Sequence, residues 1–377
     1  MAYYLFVDIS SHGFGHLAQA APILNELARL CPELRLTVRS GLSVDKLRTR
    51  LHCDFAHIPG RSDFGFVMLD AVRIDFAATA KAYREQHANW TQRVADEAAL
   101  LHRLRPDLVL TDVAYLPLAG AALAGIPSLS MCSLNWADLF AHFFGNETWA
   151  ATIHAEMLTA YRSAECFLRL TPAMAMPDLP RQRAIAPVSV IGNDRRSLLR
   201  ERLACSPQEK LVLIAFGGFD KDLALEHWPQ RKNLRWLIPQ SWPVRRADMS
   251  AFEPLELPFT DLLRSVDAVL TKPGYGTFTE AACNGVPVLY LRRVNWPEQD
   301  CLIAWLQENA CCAEISDAAL ASGQLGDALN ALWQQVAVAP PIPVGALEAA
   351  NYLAERTTGW QSPIDAISGA CMARNAI

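Results

Sequence analysis

Short unbroken apolar runs alternate, along the 377 residues of this chain, with longer stretches in which apolar positions recur every three or four residues. The first run, YYLFVDIS at 3–10, reads as a strand, and HLAQAAPILNELARL at 16–30 reads as the helix after it. The rhythm repeats, with strands expected at 34–40, 106–112 and 125–132. A strand buried on both faces has no polar alternation, so apolar strands separated by helices point to a parallel sheet covered on both sides. A polar, proline-rich region at 171–196 breaks the pattern and reads as a linker. Alternation resumes with strands expected at 210–220, 234–239, 252–258, 266–274 and 285–293, and 345–359 is the last periodic helix. The expected fold class is therefore α/β, with two doubly wound Rossmann-like domains. They are expected at 1–185 and 186–344, followed by a helix and tail at 345–377 that pack back on the first domain. Ligands of such sheets bind at the carboxyl ends of the strands, so two units facing each other enclose a cleft walled by strand-end loops.

Composition removes several classes of function. Residues 113–134 are 22 positions without a charge, long enough to cross a bilayer. Pro117, Gly125 and Pro127 divide them, however, into an Ala-rich helix and a strand. A net charge of −5 leaves no footprint for a nucleic-acid partner. The ten cysteines form no C-x-x-C pair, which argues against a zinc or disulfide framework and for a reducing compartment. No basic, apolar leader opens the chain, so no signal peptide is expected and the expected location is the cytoplasm.

Each unit opens with a strand that runs into a glycine turn. In the first, SHGFGH at 11–16 places His12 and His16 around two glycines where the strand becomes a helix. A helix N-terminus disfavours the imidazolium, so a histidine there is expected to stay neutral and accept a proton. A carboxylate behind such a base orients the ring and stabilises its protonated form. Asp112 and Asp8, each at the end of an expected strand, are the two candidates. In the second unit Gly217 and Gly218 offer backbone N–H groups to a diphosphate, or form a plain turn.

The segment TKPGYGTFTEAACNGVP at 271–287 carries more chemistry. Lys272 puts a positive charge at a strand end, Gly274 and Gly276 keep the backbone close to a ligand, and Thr277 brings a hydroxyl to a helix start. Glu280, one turn on, suits two neighbouring ribose hydroxyls. The competing use of Thr277 and Glu280 is a capping box. Glu298 and Gln299 have the donors and acceptors to hold sugar hydroxyls, or they start a helix in a solvated loop. No Asp-x-Asp pair is read here as a metal–diphosphate site; Lys272, Gly218 and the helix start are expected to neutralise the leaving group instead, with no metal and no cofactor.

These residues carry a resemblance. The segment 252–300 resembles the donor-binding box of GT-B glycosyltransferases that use nucleotide sugars. It is similar both to plant secondary-metabolite glucosyltransferases and to the bacterial N-acetylglucosaminyltransferase that makes lipid II. KPGYGTFTE lies where the plant enzymes carry His-Cys-Gly-Trp-Asn-Ser-Thr-Leu-Glu. The resemblance implies a phosphate contact for Lys272 and Thr277, a ribose contact for Glu280, and a grip on the transferred sugar for Glu298 and Gln299. It also implies that His16, rather than His12, is the general base, with Asp112 as its partner. The wording is most similar to the glycosyltransferase-like amino-terminal region of L-arabinokinases, which share the GYGT-x-x-E and RR pattern. The sugar-kinase domain that follows there is not expected in this chain. The plant box opens with a tryptophan that stacks on uracil. None stands near Glu256, which leaves Phe259, or the backbone of 257–259, to hold the base.

The expected function is inverting, metal-independent transfer of a sugar from a nucleotide-diphosphate sugar, a UDP-sugar first, to an acceptor hydroxyl. A nucleotide-sugar hydrolase or hydrolysing epimerase keeps the same donor site with water as acceptor. A non-catalytic nucleotide-sugar-binding protein has no use for a base. The aromatic stretch NWADLFAHFFGNETW at 135–149 distinguishes the first two. It either lines an acceptor site through Trp136 and Phe140, with His12 beside them, or packs as an ordinary amphipathic helix. A third use is contact with a membrane surface to reach a lipid acceptor.

Overall fold

The computed structural model describes residues 3–217 and 223–356. Seven parallel strands form the first sheet: β1 (Tyr4–Ile9), β2 (Arg35–Ser40), β3 (Ala56–Pro59), β4 (Leu108–Asp112), β5 (Ser128–Cys132), β6 (Cys166–Leu170) and β7 (Gln182–Ile185). Six form the second: β8 (Lys210–Ala215), β9 (Leu234–Ile238), β10 (Met249–Ala251), β11 (Ala268–Thr271), β12 (Val288–Leu291) and β13 (Cys312–Ile315). The orders are β3-β2-β1-β4-β5-β6-β7 and β10-β9-β8-β11-β12-β13. In each sheet the strand order reverses beside its first strand, between β1 and β4 and between β8 and β11, and that switch point is where a crevice opens in doubly wound sheets.

The apolar runs account for this arrangement. Leu5, Val7 and Ile9 of β1 enter one core with Leu17, Ile23, Leu24 and Leu27 of the helix Gly15–Leu30. Phe6 enters another on the opposite face with Leu101, Val109 and Ala121. A strand that buries both faces has no polar side to show. Residues 113–134 resolve into the helix Leu116–Ala124 and β5, the helix-to-strand step that Pro117, Gly125 and Pro127 imply.

Two expectations need correction. The region 171–196 is more than a linker, because it contains β7, paired in parallel with β6 from Phe167↔Gln182 to Leu170↔Ile185. The exposed Arg183 and Ala184 of this edge strand conceal its pairing in the sequence. The strand expected at 252–258 is a 3-10 turn, Glu253–Leu255, with Pro254 at its start. Pro254 and Pro258 cannot donate to a ladder, and the strand lies just before them as β10. The helix expected at 345–359 is observed over Gly345–Ala354, and residues 357–377 lie outside the described residues.

Contacts between the two sheet units bring their strand ends together. The helix Gly345–Ala354 lies along the helix Gly15–Leu30, and the residue after β7 holds it too, since Ala186 N donates to Glu348 Oε2 at 2.8 Å. The helix Tyr275–Cys283 meets Gly15–Leu30 so closely that a Cβ on Gly276 would lie 2.9 Å from the Ala18 Cβ. Two loops are exchanged across the junction. Trp296 inserts into the aromatic core of the first unit with Phe66 and Trp136, and Ala71 and Val72 enter the core of the second with Leu289 and Leu291. Val294 N donates to Val72 O at 3.2 Å where the loops pass.

Candidate active site at the junction of the two sheets

His16 is the second residue of the helix Gly15–Leu30. The pairing Ile9↔Asp112 sets the ends of β1 and β4 side by side, and Ser10 N donates to Asp112 O at 2.7 Å. This register carries the Asp112 carboxylate under the helix start, where Oδ1 lies 2.8 Å from His16 Nδ1, with both side chains buried. An ionised Asp112 holds the hydrogen on Nδ1 and leaves Nε2 as the nitrogen with the lone pair. Burial opposes the imidazolium, but the Asp112 charge and its hydrogen bond outweigh burial, and the His16 pKa is raised. The raised direction is the opposite of what a helix N-terminus alone favours. Asp8 is not the partner. It is engaged by Arg39 and by Ser62 Oγ, which donates at 2.8 Å.

Cys132, at the end of β5, places Sγ 3.8 Å from His16 Nδ1. The nitrogen, a carboxylate oxygen and the thiol lie within 4.8 Å of one another, a donor set of the kind that zinc uses.

Across the junction, Lys272 follows β11 and is buried. Its Nζ lies 3.8 Å and 3.7 Å from where Cβ atoms would stand on Gly217 and Gly274, so both glycine turns converge on one ammonium. Gly217 has φ +73°, a conformation natural to glycine. Burial, with Arg293 beside it, pushes the Lys272 pKa down to about 7 against the pull of Glu298. His12 is held well below its ordinary pKa by burial, with Arg293, His16 and Lys272 adding to the effect. Its ring stacks on Trp296 at 6.2 Å and meets the edge of Trp136 at 5.4 Å. Gly65, at φ +62°, lets a loop close over them, since a Cβ there would lie 2.8 Å from the His12 ring.

No family model matches the chain. It is 25% identical over 408 aligned positions to the L-arabinokinase of Arabidopsis thaliana, which covers 100% of this chain and 36% of that protein's length. The calicheamicin glycosyltransferase CalG4 superposes with a TM-score of 0.60 at 15% identity, over 100% of both chains. The spinosyn rhamnosyltransferase SpnG, complexed with thymidine diphosphate, gives 0.54 at 17% identity over 98% of this chain and 99% of its own. A UDP-glucosyltransferase from Polygonum tinctorium capable of glucosylating indoxyl gives 0.56 at 15% identity over 94% and 98%.

The chain has the GT-B fold.

Within this GT-B frame the expected donor residues gather at the ends of β8, β11 and β12, but several are already engaged. Both oxygens of Glu280 face Arg50, with Nη1 at 2.5 Å and Nη2 at 3.3 Å. Thr277 is partly buried in the first helical turn, and the helix starts at Tyr275 after Gly274, so Thr277 and Glu280 form no capping box. Phe259 is partly buried beneath the Arg50 guanidinium, 5.6 Å from its ring centre. Glu298 accepts from Ser133 Oγ at 2.6 Å and from Trp296 Nε1 at 2.9 Å. Gln299 accepts from Arg293 N at 2.8 Å and donates to Arg293 O at 3.0 Å, so one lone pair and one N–H of its amide are engaged by the backbone. Gly218 lies outside the described residues, as do Asp220 and Asp222, whose spacing is that of metal–diphosphate sites and corrects the reading that the sequence holds no Asp-x-Asp pair.

The acceptor side also changes. Trp136 is fully buried, edge-on to both histidines, and donates from Nε1 to Asp63 at 2.6 Å. Burial and the nearby Asp8 raise the Asp63 pKa to about 6. Phe140 is core, packed on Tyr83 at 4.8 Å and Phe144 at 5.5 Å with no surface exposed, which corrects its assignment to an acceptor wall. Sequence reasoning missed Arg50, Ser133, Arg293 and Trp296. Only Arg293 carried a signal, as the residue two positions past β12 in the RR pair.

Proposed function

We propose that the protein transfers a sugar, with inversion and without a metal, from a nucleotide-diphosphate sugar to an acceptor hydroxyl. The observation that supports this reading is the buried His16–Asp112 pair at the start of one helix, which meets at Gly15 and Ala18 the start of the helix Tyr275–Cys283 that follows Lys272 and its glycine turns. His16 Nε2 takes the acceptor proton as the acceptor oxygen bonds to the anomeric carbon. The bond from that carbon to the diphosphate breaks, and its electron pair leaves on the phosphate oxygen. Lys272 and the N–H groups at the start of the helix Tyr275–Cys283 receive that charge. Asp112 holds the ring and stabilises the imidazolium. In this reading the amino-terminal unit supplies the base and the acceptor site, and the second unit holds the donor, UDP before TDP, in the cytoplasm. Glu280 takes the ribose once Arg50 is displaced, with Thr277 at the phosphates and Phe259 by the base.

A second reading has water as acceptor, giving a nucleotide-sugar hydrolase. The burial of Phe140 and Trp136 favours it, because a small pocket admits water where a lined one admits a larger acceptor. One experiment tests both. UDP- and TDP-sugars are incubated with and without an acceptor library, and nucleoside diphosphate and free sugar are measured. Diphosphate release that needs an acceptor supports transfer, and release with equimolar free sugar supports hydrolysis. No release under any condition, with His16 intact, argues against both.

A further inference from the structure

Arg293 has no assignment in the reading above, yet the loop around it is built to hold it. It lies two residues beyond β12 and is only 7% exposed. Gln299 fixes its backbone from both sides, N–H at 2.8 Å and carbonyl at 3.0 Å. The guanidinium lies over Trp296, 3.5 Å from the ring centre, where the face of the indole attracts a cation. Trp296 is in turn anchored by its Nε1 to Glu298. What the loop does not provide is a hydrogen-bond acceptor for Arg293 Nε, which is buried and unbonded. The neighbouring carboxylate, Glu298, already accepts from Ser133 and Trp296.

The neighbours of Arg293 fit this. Lys272 and Arg293 are both buried, the Arg293 charge lowers the Lys272 pKa, and the Glu298 charge raises both. Burial presses the Arg293 pKa down to about 10. The ends of β11 and β12 and the start of the helix Tyr275–Cys283 form the strand-end wall where anions bind in doubly wound sheets.

We propose that Arg293 is a second cation for the diphosphate, opposing Lys272, and that Trp296 and Gln299 serve to position it. The inference rests on the reading of this junction as a nucleotide-diphosphate site. It gives the Glu298–Gln299 pair a different task from the sugar grip that the family resemblance implies. Gln299 orients the guanidinium, and Glu298 holds the indole that carries it.

Calorimetric titration of the full chain with inorganic pyrophosphate, UDP and uridine tests this for the wild type, Arg293→Gln and Arg293→Lys. A lost charge-assisted contact of about 1.5–3 kcal/mol corresponds to about a ten- to hundred-fold loss. Arg293→Gln should weaken pyrophosphate and UDP by that factor and leave uridine unchanged. Arg293→Lys keeps the charge and loses the planar fork, so it should fall between, and it serves if the glutamine variant does not fold. Gln299→Leu, with the guanidinium intact, should weaken pyrophosphate several-fold without touching uridine. Equal pyrophosphate affinity in wild type and both Arg293 variants would overturn the assignment while the nucleotide site stood. Failure of the wild type to bind either diphosphate would overturn the site itself.

Discussion

Replacing Arg50 by alanine tests whether the first sheet unit withholds Glu280 from a nucleotide. Arg50 forks both Glu280 oxygens, at 2.5 Å and 3.3 Å, so no lone pair directed at that fork is left for a ribose. The side chains are 21% and 4% exposed. That places the pair between exposed bridges, worth about 0–1 kcal/mol, and buried ones, whose disruption costs about 3–5 kcal/mol. A value of about 1–2 kcal/mol follows for this half-shielded pair. A nucleotide that uses Glu280 must first break it, and apparent affinity falls by the fraction of molecules in the broken state. Arg50→Ala should therefore tighten UDP about 5- to 30-fold. The same change leaves Glu280 buried without its partner and should lower the Tm of the unliganded protein by a few degrees, at about 2–4 °C per kcal/mol. Calorimetry with UDP and a thermal melt without ligand read the two effects. Opposite signs, weaker fold and tighter nucleotide, are the signature. A loss of stability together with unchanged or weaker UDP binding would refute the reasoning, since Glu280 would then lie outside the nucleotide site or Arg50 inside it.

If His16 is the base, His16→Ala should cost about 10²–10⁴ in turnover, Asp112→Asn less, and His12→Ala least. Near-silence of His16→Ala in a sugar-release assay would move the base elsewhere. The His16 pKa is raised above 6.5, so the unprotonated form is depleted at that pH and the acidic limb of the rate profile should lie above it. Asp112→Asn removes the largest opposition to burial, leaving only the Asp63 and Glu298 charges, and should carry the limb to lower pH; a limb that stays in place would remove Asp112 from the pair. Lys272 titrates at about 7 without ligand, and an arriving diphosphate favours its charged form. Binding at pH 8 should therefore take up protons, seen as a dependence of the calorimetric heat on buffer ionisation, and the absence of any uptake would place the diphosphate away from Lys272. Activity should survive EDTA. Loss restored by zinc would instead assign the His16, Asp112 and Cys132 trio to a metal, and loss restored by magnesium would point to Asp220 and Asp222.

Local pattern alone determined the α/β class, the strand–helix alternation and the two glycine turns, because unbroken apolar runs and helical spacing are properties of neighbouring residues. It also placed His16 and Lys272 at strand ends, since position in a doubly wound sheet follows from element order. It could not decide between Asp8 and Asp112. Both end strands, and only the sheet register sends one toward His16 and the other toward Arg39. The edge strand β7 was illegible for a similar reason, since its pairing depends on β6 and not on its own exposed residues. Most of all, the tertiary structure decided which polar side chains remain available to a ligand. Glu280, Glu298 and Gln299 are well chosen for sugar hydroxyls by chemistry, but Arg50, Ser133 and the Arg293 backbone already use them. A hydrogen-bonding group has a fixed number of partners, and residues 230 and 165 positions apart compete for them only after folding has set them side by side.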